Sequence, residues 1–221
     1  MNRFYTTMLL LIGLLSLIVQ PNIAVAAPSN TMTATDGIEF RIAHVNGNYE
    51  VYMRPNVDAT GPAITLTAQV TIKVPHGVDA NRFLITGLTN AVAGTEWTET
   101  SRVDAPVEDR NADYISLTVA FPSGNHQAFP WVAGEEVKVF SFANQGSCLG
   151  AVSLLSNDDA FVPDLALGKR NSANTNPGNQ IDVLNLGEGN LFAGIYGGAA
   201  SCETRAIELN NHLYLPIISG N

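Results

Sequence analysis

From Gly37 onward, apolar and polar residues alternate with a period of two. Ile38, Phe40 and Ile42 interleave with Glu39, Arg41 and Ala43. Asn46-Gly47 follows, the strongest two-residue hairpin signal. Tyr49, Val51 and Met53 then interleave with Glu50, Tyr52 and Arg54 until Pro55 stops the run. The clearest stretch is 64–74. Ile64, Leu66, Ala68, Val70, Ile72 and Val74 point one way, and Thr65, Thr67, Gln69, Thr71 and Lys73 the other. A run of that length, rich in β-branched residues, cannot gather its apolar groups on one side of a helix. It predicts a half-buried antiparallel strand, with Val70 in the core and Thr71 in water.

Further strands are predicted over 83–88, 95–101, 114–121, 136–142, 148–155, 181–184, 190–196, 205–209 and 212–218, with Gly and Pro between them. A single helical turn is expected within 162–167, and 168–179 reads as the longest polar loop. Short strands at this spacing predict an all-β fold, a single antiparallel β-sandwich of about nine or more strands. The domain is expected to span 37–221, after a flexible polar leader at 27–36.

The pattern changes at the N-terminus. Arg3 precedes an apolar run over 8–19, and Ala24-Val25-Ala26 supplies the small-x-small motif that signal peptidase reads. Residues 1–26 are therefore expected to be a signal peptide cut after Ala26, giving a secreted, extracellular or cell-surface protein. The run is too short for a bilayer core, which needs roughly 20 residues, so no membrane insertion is expected. The chain has 11 basic and 20 acidic residues, a net charge of −9. Losing Arg3 makes it more negative still, and no Lys/Arg cluster offsets this, so nucleic acid is not an expected partner. Cys148 and Cys202 are the only cysteines, and in an exported chain they are expected to form one disulfide.

The strand order resembles the cohesin-like and carbohydrate-binding-module superfamily of bacterial β-sandwiches. The resemblance rests on the long strand Thr65 to Pro75, on Gly94-Thr-Glu-Trp97, and on the segment Ala133 to Phe142, and it covers roughly 37–203. It implies a jelly-roll-type sandwich that binds a protein partner or a polysaccharide and does no chemistry. The chain departs from cellulosome parts in showing no recognisable dockerin, catalytic module or linker.

Candidate binding residues follow from the chemistry of sugars, which stack on flat exposed rings. Trp97, with Thr95 and Glu99 on its strand face, Trp131 in the Phe129-Pro130-Trp131 loop, and Tyr52 between Glu50 and Arg54 are the ligand-binding candidates. The competing reading is that these rings close the ends of the sandwich. Acids concentrate in loops at Asp104/Glu108/Asp109/Asp113, at 157–164 and at Asp182/Glu188. No cofactor is required, but a calcium ion, which takes six to eight oxygens, would be sought first at Asp158, Asp159 and Asp164. The competing reading is acidic loops that keep the surface soluble. His44, His76, His126 and His212 form no H-E-x-x-H, and no Ser lies in G-x-S-x-G.

The favoured function is a non-catalytic module for attachment to a polysaccharide or a surface protein. The rival is a self-associating fibre subunit that donates the leader or 212–218 to a neighbour's sheet. A glycan-active hydrolase is the third reading.

Overall fold

The computed structural model describes residues 35–202. The expected signal peptide 1–26, nearly all of the expected leader 27–36, and the strands expected at 205–209 and 212–218 lie outside the described residues. Among the described residues, no helix is long and apolar enough to cross a membrane.

The chain is all-β. Among the described residues its strands are β1 (Ile38–Val45), β2 (Asn48–Pro55), β3 (Ile64–Pro75), β4 (Ile85–Asn90), β5 (Glu96–Asp104), β6 (Ala112–Ala120), β7 (Val137–Asn144), β8 (Ser153–Leu154), β9 (Gln180–Leu184) and β10 (Phe192–Ile195). They form two five-stranded sheets. The first has the order β10-β1-β2-β7-β4; the second runs β5-β6-β3-β8, with β9 also paired to β3. Asn46 and Gly47 take φ of 49° and 84°, the left-handed values a two-residue turn needs between right-twisted strands. Most pairs are antiparallel, but β10 lies parallel to β1.

The core draws inward-facing positions from both sheets: Phe40, Val51, Met53, Phe140 and Phe142 from the first, Val70, Ile72, Ile115, Leu117 and Ile181 from the second. The alternation of β3 breaks once. The register to β9 shifts between Thr65 and Thr67, a bulge that turns Thr65 inward and leaves Leu66 42% exposed. Only Ser153–Leu154 of the strand expected at 148–155 pairs with β3. β9 already occupies the β3 edge from Ile64 to Gln69, leaving Ile72 and Lys73 for β8. The helical turn expected within 162–167 is a 3-10 turn, Leu165–Leu167, and a second one spans Asp79–Asn81.

The outer face of the second sheet departs from the expectation of a solvated side. Thr71 is 0% exposed. The segment 155–179 folds back over β3 and β6, packing Leu155 and Phe161 on Ala112 and Tyr114 as a small second core. Asn179 holds this cover in place at the point where β3 changes partner. Its side-chain oxygen accepts from Thr71 N (2.8 Å), and its amide nitrogen donates to Leu155 O (2.6 Å), while Leu155 N donates to Thr71 O (2.8 Å). Gln69 reaches the same segment, donating to Asn176 O and Gly178 O. Cys148 and Cys202 form a disulfide, with Cα atoms 5.8 Å apart.

Candidate functional site

Both indoles expected to meet a ligand are inside the fold. Trp97 is 1% exposed and lies against Phe140 with ring centroids 4.7 Å apart. Its cross-strand partner is the core residue Val119, and Thr95, two positions before it, is buried as well, so the face it was expected to present to solvent is the inner one. Trp131 is 8% exposed, stacks on Phe129 at 5.0 Å, and donates its Nε1 hydrogen to Thr65 Oγ1 at 2.9 Å. That acceptor faces inward because of the bulge in β3. Neither indole offers a face to a sugar.

Tyr52 occupies a different setting, on the outer face of the first sheet. Arg41 of β1 and Tyr52 of β2 are direct cross-strand partners, as are Glu39 and Arg54. Tyr196, just past β10, is brought alongside because its N–H donates to Phe40 O (3.0 Å). The four side chains stack in the order Arg54, Tyr196, Arg41, Tyr52. Arg54 Cζ lies 4.1 Å from the Tyr196 centroid, and Arg41 Cζ lies 5.8 Å from Tyr196 and 4.1 Å from Tyr52.

Carboxylates then pin each cation. Arg41 donates to both oxygens of Glu136 (2.9 and 2.7 Å), and Arg54 Nη2 donates to Glu39 at 2.7 Å. Glu50 accepts from the Tyr52 hydroxyl and from Lys138 Nζ (3.1 Å). The Arg41 hydrogen bond pulls Glu136 below the usual carboxylate range, and the Tyr52 hydroxyl does the same for Glu50. Tyr196 is pushed up to about 12, first by burial and then by the adjoining Glu136 carboxylate. The result is a partly exposed strip of Arg and Tyr side chains held by their neighbours, in which the Tyr196 hydroxyl is buried without a hydrogen-bond partner.

The three calcium candidates are not brought together. Asp159 Oδ2 meets Lys73 Nζ at 2.7 Å, and its Oδ1 accepts from Tyr114 Oη (3.1 Å) and Phe161 N (2.9 Å). Asp164 turns to the N–H of Leu167 (3.1 Å) in the 3-10 turn, and Asp158 is exposed. The positive charge among these acids is a lysine. Lys73 also meets Asp109 at 2.9 Å. Burial alone would lower its pKa, but hydrogen bonds to Asp159 and then Asp109 prevail and raise it. Among the described residues, no group of three or more His, Cys, Asp or Glu is arranged to hold a metal ion.

One pair was invisible in the sequence. Asp113, on the core side of β6, is 0% exposed, and its Oδ1 lies 2.6 Å from His76 Nδ1 and accepts from Ala105 N (3.0 Å). The two residues are 37 positions apart, so no spacing motif signals them. The contact orients the imidazole and braces the turn after β5, where Ala105 has a φ of 42°.

No family model matches the chain, and no curated protein or solved structure is significantly similar to it.

Proposed function

We propose that this chain is an exported, non-catalytic β-sandwich module that binds a protein partner through the outer face of the β10-β1-β2-β7-β4 sheet. It would serve surface or matrix attachment in the way of a cohesin-like or carbohydrate-binding-like module. The observation that carries this reading is the Arg54–Tyr196–Arg41–Tyr52 stack. Arg and Tyr dominate the energetics of protein interfaces. Side chains already ordered in the free protein lose little entropy on binding. A protein is favoured over a polysaccharide because Trp97 and Trp131 are buried and a guanidinium already covers a face of the Tyr52 ring.

The test is retention of the purified protein on cell-envelope material, before and after protease treatment, and on insoluble polysaccharides. We expect protease-sensitive retention that the double variant Tyr52→Ala/Arg54→Ala weakens about tenfold or more, as loss of interface anchors does. Protease-resistant retention, or a double variant that binds like the parent, overturns the reading. Export is checked separately by the mass of protein recovered outside the cell, which should begin at Ala27.

A further inference from the structure

The arrangement of chain ends has a mechanical consequence. β1 and β10 are parallel neighbours, with Ile38 beside Phe192 and Phe40 beside Ile195. Tension that reaches the sandwich ahead of Ile38 and beyond Cys202 draws β1 toward its start and β10 toward its end, so the pair is sheared along its length. The hydrogen bonds from Ile38 N to Leu191 O (2.7 Å) and from Tyr196 N to Phe40 O (3.0 Å) bracket this short contact. β1 is also antiparallel to β2, and β2 to β7, so β7 runs in the same sense as β10. Cys148 follows β7, Cys202 follows β10, and the two are joined.

We infer that the Cys148–Cys202 disulfide divides tension between two strand contacts, tying the exit of β10 to the exit of β7. Without the bridge, the Ala200–Val152 pairing and the β1–β10 contact carry the tension, and once they part the chain between the cysteines runs out. With the bridge, releasing β10 yields no extension, because Cys148 still holds the tension at the end of β7. Extension then requires β1 to leave β2, paired from Ile38–Pro55 to Val45–Asn48, or β2 to leave β7, paired from Tyr49–Phe142 to Met53–Val137. Both contacts are longer than the β1–β10 pairing and are sheared rather than unzipped. The inference does not depend on which partner the outer face binds. The bridge also encloses β8, β9, β10 and the cover over the second sheet in a ring that tension cannot lengthen.

The experiment is single-molecule force spectroscopy on the full chain held at its two ends, comparing oxidised protein, reduced protein and the Cys148→Ser/Cys202→Ser variant. Near-ultraviolet circular dichroism first establishes that each form is folded; if the double variant is not, the reduced parent alone is used. The extension gained on unfolding should be shorter by roughly 190 Å when oxidised, from the separation of 54 residues at about 3.6 Å each. That length reports only that the bridge is present. The inference is carried by the force: the oxidised protein should rupture at a higher force, and the unbridged forms should show an earlier, weaker release of β10. Equal rupture forces with and without the bridge overturn it.

Discussion

On the outer face of the first sheet, the polar positions of β1 and β2 are Glu39, Arg41, Glu50, Tyr52 and Arg54, and they remain at the surface as a paired and stacked strip. On the outer face of the second sheet, the corresponding positions of β3 and β6 include Thr71 and Ser116, and both are buried under 155–179. The alternation of the two regions is the same; the chemistry of the polar positions is not. A charge carried into the interior without a partner costs far more than a hydroxyl that finds one. Thr71 and Ser116 satisfy each other at 2.7 Å. A run of small hydroxyl residues therefore marks a face that another part of the chain can cover, whereas Arg and Glu mark one that stays open.

The largest test of this contrast is a charge placed on each side of β3. Val70 and Thr71 are both 0% exposed. Val70→Asp and Thr71→Asp should each cost about 3–5 kcal/mol in chemical denaturation. The alternation alone predicts that Thr71→Asp is mild, so a cost below half that of Val70→Asp would mean that the cover is not closed over it. Next comes the anchor of the cover. Asn179→Ala strands the Thr71 N–H and the Leu155 carbonyl, and we expect a loss of about 2–4 kcal/mol from two unsatisfied buried groups. A loss under 1 kcal/mol would show that water replaces the side chain there.

The open face should respond weakly. Arg41→Ala removes a partly exposed ion pair and a ring contact, and should cost about 1 kcal/mol or less. A larger loss would make the strip a structural element of the sheet and weaken its reading as a binding surface. The smallest effect concerns pH. Glu136 and Glu50 have folded pKa values below the ordinary one, so their contribution to stability is present above the unfolded value, about 4.3, and is lost as pH falls through the lower folded values. The parent should lose more thermal stability between pH 5 and pH 3 than Glu136→Gln, measured as about a degree or two of Tm. Parallel curves for the two proteins would remove Glu136 from the account.

What the alternation made legible was the identity of the strands. β1, β2 and β3 match their predicted spans closely, because local period and the Asn46-Gly47 turn are properties of neighbouring residues. The disulfide was legible because only two cysteines exist. What failed was anything set at a distance. Trp97 faces inward because it pairs with the core residue Val119, and Trp131 is drawn in from its loop by Phe129 and by a Thr65 hydroxyl that the β3 bulge turns inward; none of these partners is near in sequence except Phe129. Asp159 was read as a calcium candidate because Lys73, 86 residues away, is adjacent only in the fold. Of the stack on the first sheet, Tyr52 was a candidate but Arg41, Arg54 and Tyr196 were not, since β1, β2 and the segment just past β10 come together only in the fold. An Arg directly opposite a Tyr across a hairpin, as Arg41 is opposite Tyr52, is the one local signal that would have found it.

The side chain of Asn179 stands in for a strand residue, and this separates two timescales in one strand. Its bond to Thr71 spans 108 residues of chain, against 45 for the Thr71–Ser116 pair. The Thr71 N–H is held by one side chain of the covering segment and not by a strand ladder, and segments held by few contacts open ahead of the sheet in native fluctuations. The Thr71 amide, in the middle of the longest strand, is thus guarded by a loop. Its hydrogen exchange should follow the opening of 155–179 and run ahead of Val70 and Ile72, whose protection comes from the sheet, so one amide becomes a clock for the cover alone.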